Sequence, residues 1–288
     1  MISVETAGAQ TTPGTLLFFW DYDTQWGADR SRLPGHAKSW GHLEFTHTED
    51  LLELHAEHQV PACFAVVGSA ALPGDRPYHD PAQVRRIHEA GHEVASHSHR
   101  HEWLPQLGRA ALSETLKSSK DALQQCIGAP VVTFVPPYNQ PFDYPKGGSF
   151  SIAERREAGP DRTGLERLCE VLHETGYRFC RVAFRRLDLR LVEFLVRRRL
   201  DYPERPRQIG GVTCVRLNTP CGFHDAAIEM LHRCAATGGM SVVYGHPHSL
   251  SAGNSQDVSL LRPFLQEVQR LQQAGRIVTR LPRQLLAS

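Results

Sequence analysis

The stretch GHEVASHSHRHEWL, residues 91–104, decides how the rest of the chain is interpreted. Its histidines His97, His99 and His101 follow the short apolar run Val94-Ala95, which is typical of the end of a buried strand. Because His97 and His101 are four residues apart, their imidazoles can bind one metal ion, on a helical turn or in a tight turn after a strand. A polar surface turn rich in histidine is the competing interpretation, since two ligands alone make only a hypothesis.

A third ligand is available upstream. The run LLFFW, residues 16–20, comes directly before Asp21 and Asp23 and predicts a buried strand that ends in two acids. The carboxyl ends of strands carry the chemistry of α/β sheets, and two acids two residues apart project to the same side of an extended chain. One acid can then bind a metal ion while the other accepts a proton. A capping turn and the metal-bridging DxD motif of nucleotide-sugar transferases are the alternatives.

Taken together, these residues resemble the NodB-homology polysaccharide deacetylases, also called carbohydrate esterase family four. The resemblance is carried by four motifs: FFWDYD at 18–23, HSHRH at 97–101, TFVPPYNQ at 133–140 and MSVVYGHPH at 240–248. Their order and their spread over most of the chain agree with the family, so the set is far more specific than any single motif.

The resemblance implies a fold and a set of site residues. The expected fold is α/β, a distorted (β/α) barrel of about seven parallel strands. Asp23, His97 and His101 are the expected ligands of a divalent metal ion, with Zn2+ the favoured ion. The expected catalytic groups are Asp21 as the base, His246 as the acid and the backbone N–H of Tyr138 as the oxyanion donor. His248 is kept as an alternative acid, and His99 is expected to face solvent or to support the ligands.

Two departures from the family pattern affect the tuning of the base. Many members have an arginine before the proline pair of the third motif, where this chain has Val135. After Gly176 there is no convincing counterpart of the acid and the tryptophan of a further family motif. These departures leave metal binding intact and leave open both the tuning of Asp21 and a chitin-like polymer substrate.

The rest of the chain alternates strand-like and helix-like segments, which predicts parallel pairing with right-handed crossovers. The sequence predicts one domain over residues 1–288, with long polar or irregular loops at 24–48 and 136–162. The predicted strands are 16–20, 62–67, a segment ending before His97, 131–135, 177–183, 211–217 and 240–245. The predicted helices are one capped by Thr48, one from Asp80-Pro81 to Gly91, and 107–126, 164–176, 187–198, 224–237 and 257–274.

Composition excludes several classes of partner. A formal net charge of +1 and a pI near 7.7 give no field that would recruit nucleic acid or a membrane surface. No apolar run is long enough for a membrane span, and the first residues lack the pattern of a signal peptide, so a cytoplasmic location is expected. The seven cysteines are scattered without CxxC spacing, as expected for reduced thiols buried singly.

These observations favour a metal-dependent amide hydrolase that removes an N-acetyl or other N-acyl group from an amino sugar. A cytoplasmic enzyme would act on a small N-acetylated saccharide or a sugar-containing biosynthetic intermediate. The alternatives are a hydrolase of a non-sugar amide or cyclic imide, and a metal-containing saccharide-binding module without turnover. Loop aromatics could stack on a sugar or simply pack: Trp26, Trp40, Phe142 and Tyr144. The oligomeric state is left open.

Overall fold

The computed structural model describes residues 12–31, 33, 35–141, 163–182, 192, 195, 202–251 and 253–286. The predicted helix at 187–198 and most of the predicted loop at 136–162, with Phe142 and Tyr144, therefore lie outside the described residues. Among the described helices, none combines the length and the apolar character that crossing a membrane requires.

The described chain alternates strands and helices as the sequence predicts, with short 3-10 turns at several strand ends. The strands are β1 Gly14–Tyr22, β2 Cys63–Val66, β3 Glu93–Ser96, β4 Thr133–Phe134, β5 Phe179–Val182, β6 Arg207–Ile209, β7 Val212–Arg216, β8 Met240–Gly245 and β9 Ile277–Thr279. The helices are α1 Thr24–Asp29, α2 Gly41–His58, α3 Pro81–Glu89, α4 Arg109–Ile127, α5 Leu165–Glu174, α6 Asp225–Thr237 and α7 Val258–Gln273.

These strands form one curled sheet in the order β6-β7-β5-β4-β3-β2-β1-β8, and β9 also pairs with β1. Seven neighbouring strands of the described part, from β7 to β8, run parallel, while β6 joins β7 as an antiparallel hairpin. An isolated antiparallel bridge joins Glu204, in the segment just before β6, to Met240 at the start of β8. The predicted fold, a distorted (β/α) barrel of about seven parallel strands, is confirmed. That residues 1–288 form a single domain stays a prediction.

Alternation along β1 divides the core in two. Leu16, Phe18 and Trp20 belong to the large apolar cluster between the sheet and its helices. Leu17 and Phe19 belong to the smaller cluster inside the curled sheet. Because side chains alternate along a strand, Asp21 continues the inward-facing set and reaches the interior at the carboxyl end of β1.

One predicted helix start is wrong. Thr48 is not the N-cap of α2, because the helix begins seven residues earlier at Gly41 and the Thr48 hydroxyl donates to the carbonyl oxygen of Glu44 within it. The buried face of α2 includes the acid Glu44 beside Phe45 and Leu51. A polar residue on that face hides the apolar periodicity by which a helix is recognised. In contrast, α3 begins as predicted, with Asp80 capping and Pro81 in the first turn.

The cysteines are free thiols, as predicted, although they are not all buried singly. Five are buried and two, Cys126 and Cys221, are partly exposed. The Sγ atoms of Cys169 and Cys214 lie 3.6 Å apart between α5 and β7. These two thiols pack as one small apolar group in the outer core.

Candidate active site

Asp23, His97 and His101 meet at the carboxyl edge of the sheet. Asp23 follows β1 and His97 follows β3, and β2 lies between these two strands. The Oδ1 atom of Asp23 lies 3.3 Å from Nε2 of His97 and 3.5 Å from Nε2 of His101. All three side chains are buried, and Oδ1 has no hydrogen-bond partner among the described residues. The three ligand atoms predicted from sequence therefore converge on one point.

The surroundings of His97 fix which of its ring nitrogens can bind a metal ion. Its Nδ1 lies 2.7 Å from the carbonyl oxygen of Val135 and must donate to it, so Nε2 carries the lone pair. Two imidazole nitrogens and one carboxylate oxygen form a donor set that suits Zn2+ and similar ions and leaves a coordination position open. The unpartnered Oδ1 of Asp23 is the observation that makes a divalent ion fit here.

Asp21 is held by an arginine that the sequence analysis missed. Arg181 of β5 is fully buried and makes a bidentate ion pair with it, with Nη1 2.7 Å from Oδ1 and Nη2 2.6 Å from Oδ2. Burial raises the pKa of Asp21, but the guanidinium outweighs burial and leaves that pKa below its ordinary value. Arg181 thus supplies, from another strand, the cation absent at Val135.

The alternation of inward-facing and outward-facing residues along β5 could have identified Arg181 from the sequence. Phe179 lies in the interior cluster, whereas Cys180 lies in the outer cluster. Arg181 is therefore a charged residue in the inward phase of a buried strand, and such a residue requires a buried partner of opposite charge.

His246 lies on the other side of Asp21, directly after β8. Its Nε2 is 4.0 Å from Oδ2 of Asp21, while its Nδ1 is 3.7 Å from Sγ of Cys221 and 3.3 Å from Oε1 of Gln256. Burial lowers the pKa of His246, but its contact with Cys221 and the nearby carboxylates of Asp23 and Asp21 outweigh burial and raise that pKa to about 9. A histidine held in its protonated form beside the pocket is suited to donate a proton.

Tyr138 lies in the turn after β4 and packs against His101, one of the predicted metal ligands. Its ring packs edge-on against His101 with a centroid distance of 4.6 Å, and its hydroxyl donates to the carbonyl oxygen of Arg30 at 2.7 Å. The neighbouring Asn139 accepts a hydrogen bond from Nη2 of Arg181 at 3.0 Å. The turn thereby joins the predicted metal site to the arginine, and the role of the Tyr138 N–H as an oxyanion donor stays a prediction.

The backbone around the site adopts an unusual conformation. Of the six described non-glycine residues with positive φ, five belong to the segments that build the site. These residues are Thr24, Ser98, His101, Tyr138 and Asn139, all with φ between 54° and 63°. Left-handed backbone costs an ordinary residue on the order of 1 kcal/mol, so the surrounding contacts must enforce these turns.

His248 has different partners from His246. Its Nδ1 lies 3.4 Å from Oε2 of Glu44, and its ring stacks on Trp40 with a centroid distance of 4.4 Å and an interplanar angle of 12°. The same Oε2 accepts the backbone N–H groups of Asp23, at 3.1 Å, and Thr24, at 2.7 Å. Glu44 therefore connects His248 to the segment that carries Asp23, a predicted metal ligand. Sequence reasoning missed it because it lies on the helical segment interpreted as loop.

A cavity of about 380 Å³ opens over these groups. It is lined by Asp21, Asp23, Gly27, Ser31, Leu33, Trp40, His97, His101, Tyr138, Asn139, Tyr244, His246, His248, Ser249 and Gln256. All six predicted site residues thus face one pocket. His99 is not among them, and Trp26 instead packs against Tyr78 with a centroid distance of 5.1 Å. Of the loop tryptophans, Trp40 contributes to this wall.

Comparison with known proteins confirms the resemblance. The family model of the polysaccharide deacetylases matches residues 41–145, the part of the chain from α2 to just beyond the Tyr138 turn. The family resemblance drawn from the motifs is therefore confirmed over this part of the chain.

Individual proteins agree with this partial match. A chitooligosaccharide deacetylase of Sinorhizobium fredii is 36% identical over 92 residues, which are 32% of this chain and 40% of the relative. The aligned part thus spans less than half of that protein. Among solved structures, a protein of Mycobacterium smegmatis assigned to the polysaccharide deacetylases has a TM-score of 0.62 at 18% identity, covering 96% of this chain and 90% of its own. A mutant of a Bacillus anthracis CE4 family pseudoenzyme with restored enzymatic activity has a TM-score of 0.50 at 14% identity, covering 96% and 69%. The two structures support the fold.

Proposed function

We propose that this protein is a metal-dependent amide hydrolase that removes the N-acetyl group of an amino sugar or of a sugar-containing intermediate. One observation carries the proposal. Asp23, His97 and His101 converge in a pocket that is also lined by Asp21 and His246, whose side chains lie 4.0 Å apart. The family match and the likeness to a chitooligosaccharide deacetylase support an N-acetylated saccharide as the substrate.

Amide hydrolysis needs an activated water, a stabilised oxyanion and a proton for the leaving nitrogen. When bound, a divalent ion supplies Lewis-acid activation of water and of the acyl carbonyl. Asp21, kept ionised by Arg181, accepts the proton of the attacking water. The backbone N–H of Tyr138 donates to the developing oxyanion. His246 gives its proton to the nitrogen, so that the products are acetate and the free amine.

The pocket favours a neutral substrate. Among the residues that line it, the structure describes no lysine or arginine, and the cation just beneath it, Arg181, is already paired with Asp21. Aromatic and neutral polar groups form much of the wall, as a sugar requires. Together with the cytoplasmic location, which stays a prediction, this favours a small saccharide over a cell-wall polymer.

The decisive experiment measures released acetate from a panel of N-acetylated mono- and oligosaccharides, with purified protein supplied with Zn2+. Asp21→Asn, which retains all three predicted metal ligands, is the matched control. We expect turnover by the wild type and none by the variant. Hydrolysis of cyclic imides or simple amides, without acetate release from sugars, would replace the proposed substrate. Metal and sugar binding without any turnover would instead identify a binding module.

A further inference from the structure

We propose that His248 is a specificity residue whose Nε2 accepts a hydrogen bond from one free hydroxyl group of the substrate. The inference rests on the proposed function, because it concerns the sugar bound in the same pocket. It gives His248 a role separate from that of the proton donor His246.

The hydrogen-bond directions around Glu44 fix the tautomer of His248. Oε2 of Glu44 accepts from the N–H of Thr24 at 2.7 Å and from the N–H of Asp23 at 3.1 Å. An oxygen that accepts from two amides is the acceptor toward a third group as well, so Nδ1 of His248 carries the hydrogen in their 3.4 Å contact. This holds whether a proton resides on Oε1 of Glu44 or not. In neutral His248, Nε2 is then an acceptor.

The ring of His248 is also fixed in position. It is stacked on Trp40 at a centroid distance of 4.4 Å, and His246 approaches it at 5.2 Å. Its side chain is only 11% exposed, yet the residue lines the cavity. No residue in the described part of the chain hydrogen-bonds to Nε2. A rigid acceptor in the wall of the pocket selects for a donor on the ligand.

The charge state supports the same assignment. Burial lowers the pKa of His248, and the attraction of Asp23 and Asp21 does not cancel that effect. His248 is therefore neutral at neutral pH, in contrast to His246. A neutral imidazole whose Nδ1 is a donor can bind a hydroxyl or an N–H group through Nε2, whereas an ether oxygen or a phosphate oxygen has no hydrogen to offer. Of the groups on an amino sugar, the hydroxyls fit.

The test combines one protein change with one substrate change. The sugars are N-acetylglucosamine and its 3-, 4- and 6-deoxyfluoro analogues, because fluorine has nearly the size of a hydroxyl and cannot donate. The proteins are the wild type and His248→Phe, which keeps an aromatic ring against Trp40. His42→Phe, at an exposed position of α2, is the matched control. Both kcat/KM and calorimetric binding to the full-length protein with Zn2+ are measured.

We expect one analogue to lose about tenfold in kcat/KM with the wild type, mainly through KM, as for one lost hydrogen bond. With the parent sugar, His248→Phe should have a kcat/KM lower than that of the wild type by the same factor. Changing from the parent sugar to that analogue should lower the kcat/KM of His248→Phe no further. His42→Phe should show the wild-type pattern. Equal losses for His248→Phe on every sugar would overturn the inference while leaving the proposed deacetylation intact. Conversely, if no sugar is hydrolysed but the binding losses follow this pattern, the proposed function fails and the hydroxyl contact stands.

Discussion

Arg181 and Asp21 form a bidentate ion pair inside the barrel, with both nitrogen-to-oxygen distances between 2.6 and 2.7 Å and both side chains buried. The guanidinium also lies over the rings of Phe19, at 5.2 Å, and Tyr244, at 4.7 Å. Asp21 thus owes its charge and its orientation to a residue 160 positions away in sequence.

Replacing only one member of this pair should be strongly destabilising. Arg181→Met leaves a buried carboxylate without its cation, and breaking a buried pair in this way costs about 3–5 kcal/mol. The free energy of unfolding in urea measures the loss. Arg178→Met, at an exposed position just before β5, should change it by less than about 0.5 kcal/mol. If the double variant Asp21→Asn/Arg181→Met were no more stable than Arg181→Met, the ion pair would not be the cause.

The metal site should depend on two of the three clustered histidines. His97→Ala or His101→Ala removes a nitrogen donor beside Oδ1 of Asp23, so bound metal per chain should fall to a small fraction of the wild-type value. His99→Ala should leave metal content unchanged. Elemental analysis after dialysis against Zn2+, and the rise of Tm on adding Zn2+, give readouts independent of activity. Equal metal loss in all three variants would mean that the ligand pair is misassigned.

The two acids should differ in what they retain. Asp21→Asn should keep the metal ion and lose turnover, because an amide cannot accept the proton. Asp23→Asn should lose both, because its Oδ1 is the oxygen donor between the histidines. Metal content, acetate release and circular dichroism are measured on the same samples, since Asp21→Asn also leaves Arg181 without its carboxylate. Full turnover by a folded Asp21→Asn variant would remove Asp21 from the mechanism.

The leaving nitrogen should take its proton from His246. General acid catalysis contributes roughly 10² to 10⁴ in rate, so His246→Ala should lower kcat on an amide by about that factor with the metal ion retained. An ester analogue with an activated leaving group needs no proton and should be much less affected. His248→Ala should weaken both reactions alike. An amide-selective loss in the His248 variant alone would transfer the acid role to His248.

Two core histidines should make the fold sensitive to acid. Burial lowers the pKa of His55 to about 3 and that of His92 to about 4. Below about pH 6.5 the unfolded chain binds protons that the folded chain refuses, so stability should decrease as pH falls from about 6.5 toward the folded-state values. Between its folded-state and unfolded-state pKa values, each histidine changes the free energy of unfolding by about 1.4 kcal/mol per pH unit.

Urea unfolding at several pH values tests this linkage. Between about pH 6 and 4.5, His92→Asn should reduce the pH dependence of the free energy of unfolding by the equivalent of about one bound proton. His36→Asn, at an exposed position, is the control and should leave that pH dependence unchanged. His55 is held neutral by its contacts, since its Nε2 accepts from Nε1 of Trp20 at 2.8 Å. If the wild type, His92→Asn and His36→Asn all showed the same pH dependence, His92 would have the same pKa in the folded and unfolded states.

The sequence was sufficient for the features that depend on local patterns. The apolar run before Asp21 and the short run before His97 predict buried strands, and parallel strands bring their carboxyl ends to one edge. For this reason Asp23, His97 and His101 could be named together although 78 positions separate the first from the last. Most strand and helix bounds in the described residues agree with prediction to within two or three positions.

The supporting residues depend on contacts between distant elements, which no local pattern specifies. Arg181 compensates for Val135 because β5 lies beside β4 in the sheet, a relationship that requires the topology. Glu44 could not be recognised because a buried acid interrupts the apolar face of α2. Gln256 reaches His246 from the segment before α7 and shows no signal in the sequence.

The left-handed residues around the site place catalysis and stability in competition. Glycine would adopt the backbone of Ser98 and Tyr138 without steric strain, because it has no Cβ. The chain instead keeps Tyr138, whose ring packs against His101, and next to it Asn139, which accepts a hydrogen bond from Arg181. Binding of a metal ion and of substrate would then offset part of this local strain, and we expect the turns around the site to open before the rest of the fold on heating.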